Sequence, residues 1–222
     1  MKAILVCGGE IEDSFALAVF DRIRPDCIIG IDRGLEFCYK YNIVPHYILG
    51  DFDSISPKIL SYYENQEIPV KRYRPEKDAT DTRIGLELAL KLGCTEIILL
   101  GATGGRLDHY MANLKSLFLP MEQGVRAWIL DSQNAITLLD RGTEIPKDHQ
   151  FGKYVSFFTM GDKVEGVTLK GFKYPLKDHT LVNSDEIGVS NEILEEKAEI
   201  TFRSGVVLMI MSKDRKDRKS VV

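Results

Sequence analysis

The sequence has few cysteines, and they form no C-x-x-C pair. The four stand apart from one another, at Cys7, Cys27, Cys38 and Cys94. Cys7, Cys27 and Cys94 fall in or beside apolar runs, where a free cysteine usually acts as a small buried hydrophobe. This pattern is typical of a protein kept in a reducing compartment, so we expect a cytoplasmic location.

Long apolar runs and an excess of basic charge are also missing. The first apolar run, residues 3–7, is too short for a signal peptide or a membrane span, and no later run is long enough to cross a bilayer. The formal net charge is -4, which argues against a broad nucleic-acid surface. We therefore expect neither a membrane nor a nucleic acid as partner, and any bound polyphosphate must be recruited locally.

Residues 1–131 alternate short apolar runs with helical periodicity, which predicts βα units on a mostly parallel sheet. The predicted strands are 3–7, 27–31, 47–49, 70–73, 96–100 and 127–130. The predicted helices are 14–23, 35–41, 57–64, 82–92 and 107–118. The last helix is the clearest, because four apolar side chains repeat on one face: Leu107, Met111, Leu114 and Phe118.

Residues 132–213 have a different character. Short runs rich in β-branched and aromatic residues, separated by turn formers, predict an all-β sandwich or barrel. The predicted strands are 154–160, 164–169, 198–203 and 206–211. Residues 214–222 mix basic and acidic side chains, which predicts a solvated tail.

Chemistry-bearing residues gather where the parallel strands end. Ligands of an open parallel sheet bind beyond the carboxyl ends of its strands. Acidic, basic and glycine residues occupy four such segments, at 32–34, 50–54, 77–82 and 101–109. Their convergence on one rim predicts a ligand site there.

Asp51 and Asp53 are two residues apart, so in an extended segment their carboxylates leave the chain on the same side. Paired oxygen ligands suit Mg²⁺, which takes a few carboxylates, water and substrate phosphates. Phe52 between them can anchor the loop in the core. The alternative is an ordinary Asp-rich turn that caps the next helix.

Asp78 and Asp81 stand at the start of a predicted helix, where an Asp oxygen accepts from first-turn amides. Capping explains one such residue. Asp78, Thr80 and Asp81 together can also form a second acidic part of the ligand site. Both interpretations stay open.

The turn from Thr103 to Arg106 joins a strand to a helix, so its amides can cradle phosphate oxygens, and Arg106 can add a fork of donors. The alternative is a tight strand-to-helix turn. Asp108 then acts as a helix cap and His109 as a surface residue.

In order along the chain, these segments resemble the thiamine pyrophosphokinase family in its short bacterial form. The matching motifs are D-R-G at 32–34, P-H-Y-I-L-G-D-F-D-S at 45–54, K-D-A-T-D-T at 77–82, G-A-T-G-G-R-L-D-H at 101–109, L-K-G-F-K-Y-P-L at 169–176 and G-V-S-N-E at 188–192. The likeness covers nearly the whole chain and leaves out only the tail.

The resemblance implies transfer of the terminal diphosphate of ATP to the hydroxyl of thiamine, giving thiamine diphosphate and AMP with Mg²⁺ as cofactor. It also implies an α/β catalytic domain, a C-terminal β-sandwich that binds thiamine, and a homodimer whose subunits share each active site.

The resemblance further assigns roles by motif. As metal-binding acids it implies Asp51, Asp53 and Asp81, with Asp32 a further candidate. It places Asp78 near the reacting centre and Asp108 on the nucleotide side, and either is a candidate to accept the hydroxyl proton. For ATP it implies Asp32, Arg33, Lys77, Thr80, Thr103, Gly104, Arg106 and His109, and for the thiamine ring Ser190 and Asn191 of the partner subunit.

Two other functions fit the same residues. A metal-dependent phosphohydrolase also places acidic pairs at strand ends, and it predicts phosphate release from ATP without thiamine. A non-enzymatic magnesium-nucleotide sensor predicts nucleotide binding without AMP.

Overall fold

The computed structural model describes residues 1–53, 55–66, 68–72 and 79–215. The chain divides into two compact units, Met1–Ser132 and Gln133–Val222. The predictions for Lys77, for Asp78 and for the chain beyond residue 215 lie outside the described residues.

The first unit is built on a parallel sheet. Its strands are β1 (Lys2–Val6), β2 (Cys27–Ile31), β3 (Tyr47–Gly50), β4 (Val70–Arg72), β5 (Glu96–Leu100) and β6 (Arg126–Leu130). Its helices are α1 (Asp13–Ile23), α2 (Gly34–Lys40), α3 (Pro57–Glu64), α4 (Asp81–Lys91), α5 (Leu107–Ser116) and α6 (Phe118–Glu122). The strand order is β4-β3-β2-β1-β5-β6, and every neighbouring pair is parallel. The predicted α/β fold is confirmed.

The core of this unit lies along its central strands. Four of the five residues in β1 and in β5 are buried in succession, which is typical of a parallel strand covered on both faces. Both faces of β1 and β5 are therefore covered, and the polar residues of the predicted site lie in the loops that leave the carboxyl ends of the strands.

Gly34 explains part of the D-R-G motif. It is the first residue of α2, and a Cβ atom added there would lie 2.0 Å from the carbonyl oxygen of Val6. Because that oxygen belongs to the central strand, only glycine lets α2 begin directly against β1. This close approach holds Asp32 and Arg33 at the carboxyl end of β2.

Helix α5 departs from the sequence prediction. It ends at Ser116, and the short helix α6 follows. Leu114 is buried at 4% exposure, but Leu107 is 78% and Met111 49% exposed. The apolar stripe therefore faces the core only from Leu114 onward, since periodicity identifies a face without telling which surroundings cover it.

The second unit is antiparallel. Its strands are β7 (Asn134–Leu139), β8 (Thr143–Pro146), β9 (Tyr154–Thr159), β10 (Lys163–Lys170), β11 (Leu176–Val182), β12 (Lys197–Thr201) and β13 (Val207–Ser212). Three of these strands are hydrogen-bonded neighbours in the order β7-β13-β9, and the other four form a sheet with the order β11-β10-β12-β8. Phe157 of β9 contacts Phe172, which follows β10, edge to face at 5.5 Å between ring centres. The predicted all-β domain is confirmed, and its strand pairs are antiparallel.

The cysteine prediction also holds, because all four cysteines are free and buried. In the part of the chain that the structure describes, no helix has the length and apolar character needed to span a membrane.

Candidate active site

A cavity of about 760 Å³ opens at the carboxyl ends of the parallel strands in the first unit. The strand ends, the start of α4 and the loop between β5 and α5 line it. The structure places nine of the residues predicted for the site in this lining: Asp32, Arg33, Asp51, Thr80, Asp81, Thr103, Gly104, Arg106 and His109.

Asp32 and Asp51 approach the cavity from neighbouring strands. Asp32 has a left-handed backbone, with φ 46°, and its amide donates to the carbonyl of Leu49 at 3.0 Å. A Cβ atom on Gly50 would lie 1.8 Å from Oδ1 of Asp32. Gly50 therefore leaves the space that the Asp32 carboxylate occupies beside the end of β3.

The segment from Asp51 to Asp53 is not extended, so the expectation that both carboxylates leave on the same side is wrong. Phe52 has φ 65° and is buried at 7% exposure. The Asp53 amide donates to Oδ1 of Asp51 at 3.1 Å, which closes a tight turn. Asp51 lines the cavity, whereas Asp53 is exposed and is not part of the lining. Phe52 is the core anchor that the sequence predicted.

Thr80, rather than an aspartate, caps helix α4. Its hydroxyl accepts the amide of Arg83 at 3.3 Å, which satisfies one of the free first-turn donors. Asp81 is the first helical residue and lines the cavity. The capping explanation therefore applies to Thr80, and it does not account for Asp81.

Two glycine-containing loops pack backbone to backbone at the cavity. The amide of Gly9 donates to the carbonyl of Gly101 at 2.8 Å, and a Cβ atom on Gly9 would lie 2.5 Å from that oxygen. Gly8 and Gly9 line the cavity, although sequence analysis assigned them no role. The signal that identifies them is their position directly after β1, the central strand.

The loop after β5 presents backbone amides. Gly104 and Gly105 are left-handed, with φ 78° and 66°. Among the described residues, no acceptor takes the amides of Thr103, Gly104 or Gly105. Buried Asn113 of α5 supports this loop by donating from Nδ2 to the carbonyl of Ala102 at 2.8 Å; helical periodicity does not reveal such a contact. The loop is thus a candidate anion cradle.

Arg106 and Asp108 form a two-bond ion pair at the rim of the cavity. Nε and Nη2 of Arg106 donate to the two carboxylate oxygens of Asp108 at 3.1 and 2.5 Å. These bonds and that from the His109 amide lower the pKa of Asp108. A general base works best with a pKa near the operating pH, and Asp108 is not part of the cavity lining. The geometry does not favour Asp108 as a proton acceptor.

Cys7 lies in the lining but is unsuited to nucleophilic chemistry. Its Sγ accepts from the Thr82 hydroxyl at 3.8 Å, and burial raises the pKa of the thiol to about 12. The thiolate is the nucleophilic form of cysteine, so this side chain stays protonated and inert.

The donor set at the cavity fits Mg²⁺ that is shared with a ligand. Among the described residues, no group of three or more His, Cys, Asp or Glu side chains is arranged to hold a metal by itself. Asp32, Asp51 and Asp81 nevertheless line one cavity. Mg²⁺ is usually held by one or two carboxylates together with water and substrate phosphates, so a closed protein cage is not required.

In the second unit, the structure separates the two residues predicted for the thiamine ring. Ser190 is exposed, whereas Asn191 is buried at 2% exposure. Oδ1 of Asn191 accepts the amides of Tyr174 and Glu192 at 3.0 and 2.9 Å, and Nδ2 donates to the Tyr174 carbonyl at 2.7 Å. Asn191 therefore ties backbone segments together, and only the Ser190 side chain of this pair is exposed.

A parallel sheet with an acidic, glycine-lined cavity at its carboxyl edge defines an α/β ligand-binding domain of the phosphate-handling kind. Comparison with known proteins identifies the family. Residues 23–129 match the family model "Thiamin pyrophosphokinase, catalytic domain", and residues 142–207 match "Thiamin pyrophosphokinase, vitamin B1 binding domain".

Individual relatives agree with the family models. Thiamine pyrophosphokinase of Bacillus subtilis is 32% identical over 84% of this chain and 87% of its own. The crystal structure of a thiamine pyrophosphokinase from the same organism superposes with a TM-score of 0.86 at 29% identity, covering 97% of this chain and 100% of that one. A thiamin pyrophosphokinase family protein from Enterococcus faecalis gives a TM-score of 0.82 at 31% identity, with coverage of 97% and 100%.

The chain belongs to the thiamin pyrophosphokinase family. It is accordingly an enzyme of the thiamine diphosphokinase class. The family predicted from the sequence motifs is confirmed, and these matches do not favour a phosphohydrolase or a non-enzymatic sensor.

Proposed function

We propose that this protein moves the terminal diphosphate of ATP onto the hydroxyl of thiamine at the cavity of the first unit, with Mg²⁺ as cofactor. The observation that carries the proposal is a convergence on that cavity. Three carboxylates, the glycine loops and two arginines line the same space. Phosphoryl-type transfer depends mainly on positioning and on neutralising spread negative charge, and these residue types serve both needs.

In this proposal the phosphates of ATP bind at the loop after β5. Its amides from Thr103 to Gly105 point to no acceptor within the described residues, and Arg106 follows directly. The fork that Arg106 offers to Asp108 has the geometry that also matches two phosphate oxygens. When ATP binds, its phosphate oxygens thus replace the Asp108 carboxylate oxygens on the Arg106 guanidinium group.

Asp32, Asp51 and Asp81 are the residues that would hold Mg²⁺. When bound, the ion supplies positive charge to phosphate oxygens. We keep Asp53 as a further candidate, although its side chain lies outside the cavity lining. The residues Arg33, Thr80 and His109, which also line the cavity, complete the proposed ATP site.

The reaction forms a bond between the thiamine hydroxyl oxygen and the β-phosphorus of ATP, and it breaks the bond from that phosphorus to the bridging α,β-oxygen. AMP leaves with that oxygen. The hydroxyl proton must be accepted near the β-phosphorus, and since Asp108 lies outside the cavity lining, Asp78 is our candidate for this role. Lys77, next to it, belongs to the proposed ATP contacts.

Thiamine binds through the second unit, whose family model is described as a vitamin B1 binding domain. We assign the ring contact to Ser190, the exposed member of the predicted pair. The proposed assembly is a cytoplasmic homodimer in which this residue serves the cavity of the other subunit. Sedimentation equilibrium should then give twice the chain mass of 25.1 kDa; a mass of one chain at working concentrations would contradict the shared site.

One incubation tests the activity. The protein is mixed with ATP, Mg²⁺ and thiamine, and AMP and thiamine diphosphate are measured by chromatography. We expect the two products in equal amounts, and neither when thiamine or Mg²⁺ is left out. Phosphate release without thiamine would support the phosphohydrolase, and nucleotide binding without AMP would support the sensor.

A further inference from the structure

The segment Gly188–Asn191 runs antiparallel along strand β9. Val155 and Asn191 exchange both backbone hydrogen bonds, at 2.8 and 2.9 Å. The amide of Phe157 donates to the carbonyl of Gly188 at 2.9 Å. A Cβ atom on Gly188 would lie 2.2 Å from the Phe157 carbonyl oxygen, so glycine permits this close pairing.

Between these two contacts the segments do not match in length. Val189 and Ser190 lie opposite the single residue Ser156, which is the two-against-one arrangement of a β-bulge. Ser190 has φ 55°, a left-handed conformation that side-chain-bearing residues seldom adopt. Bulges of this kind occur beside active sites, where they redirect a side chain.

Ser156 supplies the bond that a regular strand would have taken from a carbonyl group. Its Oγ accepts the amide of Ser190 at 3.0 Å, and the residue is only 7% exposed. On the other side of the bulge, the carboxamide of Asn191 holds the backbone of Tyr174. The unusual backbone of Ser190 is therefore held from both sides, while its own side chain is exposed.

We propose that Ser156 is a positioning residue for thiamine binding, acting through Ser190. Its hydroxyl holds the amide of the bulge and thereby fixes the direction of the Ser190 hydroxyl. This inference rests on the proposed function, in which Ser190 contacts the thiamine ring. Ser156 itself touches no ligand, because it is buried in the sheet beneath the bulge.

The first test is Ser156→Ala. The KM for thiamine should rise about five- to tenfold, the scale of one lost hydrogen bond, while the KM for ATP stays within about twofold. The Ser190 amide should also exchange faster with solvent deuterium. Ser156→Thr keeps the hydroxyl and should restore both values. The matched control is Ser116→Ala, which removes another buried hydroxyl bond, to the Ala112 carbonyl at 2.9 Å, and should leave the thiamine KM unchanged.

A double-mutant cycle separates positioning from general loosening. Ser190→Ala removes the hydroxyl that Ser156 is proposed to aim but keeps the amide. In that background Ser156→Ala should add no further rise in thiamine KM. The inference would be overturned if Ser156→Ala raised the thiamine KM equally in the wild type and in the Ser190→Ala background. It would also be overturned if the Ser156→Ala protein had a normal thiamine KM although its Ser190 amide exchanged fast. A wild-type protein that makes no thiamine diphosphate overturns the proposed function instead, and this is seen before any variant is made.

Discussion

Asp51→Asn should lower the turnover of thiamine by about 10²-fold or more, the scale of losing one preorganised electrostatic group. The substitution removes one negative charge from the cavity at the end of β3. It should not disturb the local turn, because an asparagine oxygen can still accept the Asp53 amide. We also expect the concentration of Mg²⁺ needed for half-maximal rate to rise. Steady-state kinetics over a Mg²⁺ series measure both effects.

The control for this variant is Asp21→Asn, which removes the same charge from the exposed surface of α1 and should leave the kinetics unchanged. Asp53→Asn is informative beside it. Its carboxylate lies outside the cavity lining, so the structure predicts a smaller loss than at Asp51. Near-normal turnover of folded Asp51→Asn protein at limiting Mg²⁺ would contradict the assignment of Asp51 as a Mg²⁺ ligand.

Arg106→Lys should lower kcat/KM for ATP by about 10- to 100-fold, with little change in the KM for thiamine. Lysine keeps the positive charge but cannot offer two parallel donors to phosphate oxygens. The expected range follows from the loss of one hydrogen bond to a charged group, about 1.5–3 kcal/mol. Initial rates over a matrix of ATP and thiamine concentrations separate the two substrates.

Arg141→Lys provides the matched comparison. Arg141 is also exposed and also bonds a nearby aspartate, with Nε donating to Oδ1 of Asp140 at 3.1 Å, but it lies in the second unit and does not line the cavity. Its replacement should leave the ATP kinetics unchanged. If Arg106→Lys behaves like this control, the segment is a tight turn and Arg106 is not a phosphate ligand.

The central parallel strands β1 and β5 were predictable because burial on both faces makes each one a continuous apolar run. Strands β8 and β11 were not. Strand β11 (Leu176–Val182) buries only Leu181 among its seven residues, and β8 (Thr143–Pro146) is four residues long and ends in proline. Both are outer strands of the four-stranded sheet, where solvent exposure weakens the alternation from which strands are recognised.

The residues at the strand ends were also predictable as a group, since topology alone brings the carboxyl ends of parallel strands to one edge. The directions in which the individual side chains point were not predictable. The expected side-by-side pair of Asp51 and Asp53 assumed extended backbone, and the left-handed Phe52 breaks that assumption. Likewise, the S-N motif does not reveal that Ser190 is exposed while Asn191 is buried.

The sequence by itself determined the family, the α/β class of the first unit, the all-β class of the second and the edge of the sheet that carries the acidic residues. These properties follow from local patterns, because apolar periodicity and motif order are written along the chain. Only the tertiary structure decided that Thr80 caps α4, that Gly9 packs against the loop after β5, and that Ser156 holds the bulge at Ser190. Each of these depends on atoms that are brought together by folding. A single dihedral angle, such as φ of Phe52, also redirects a side chain, and the sequence pattern does not show it.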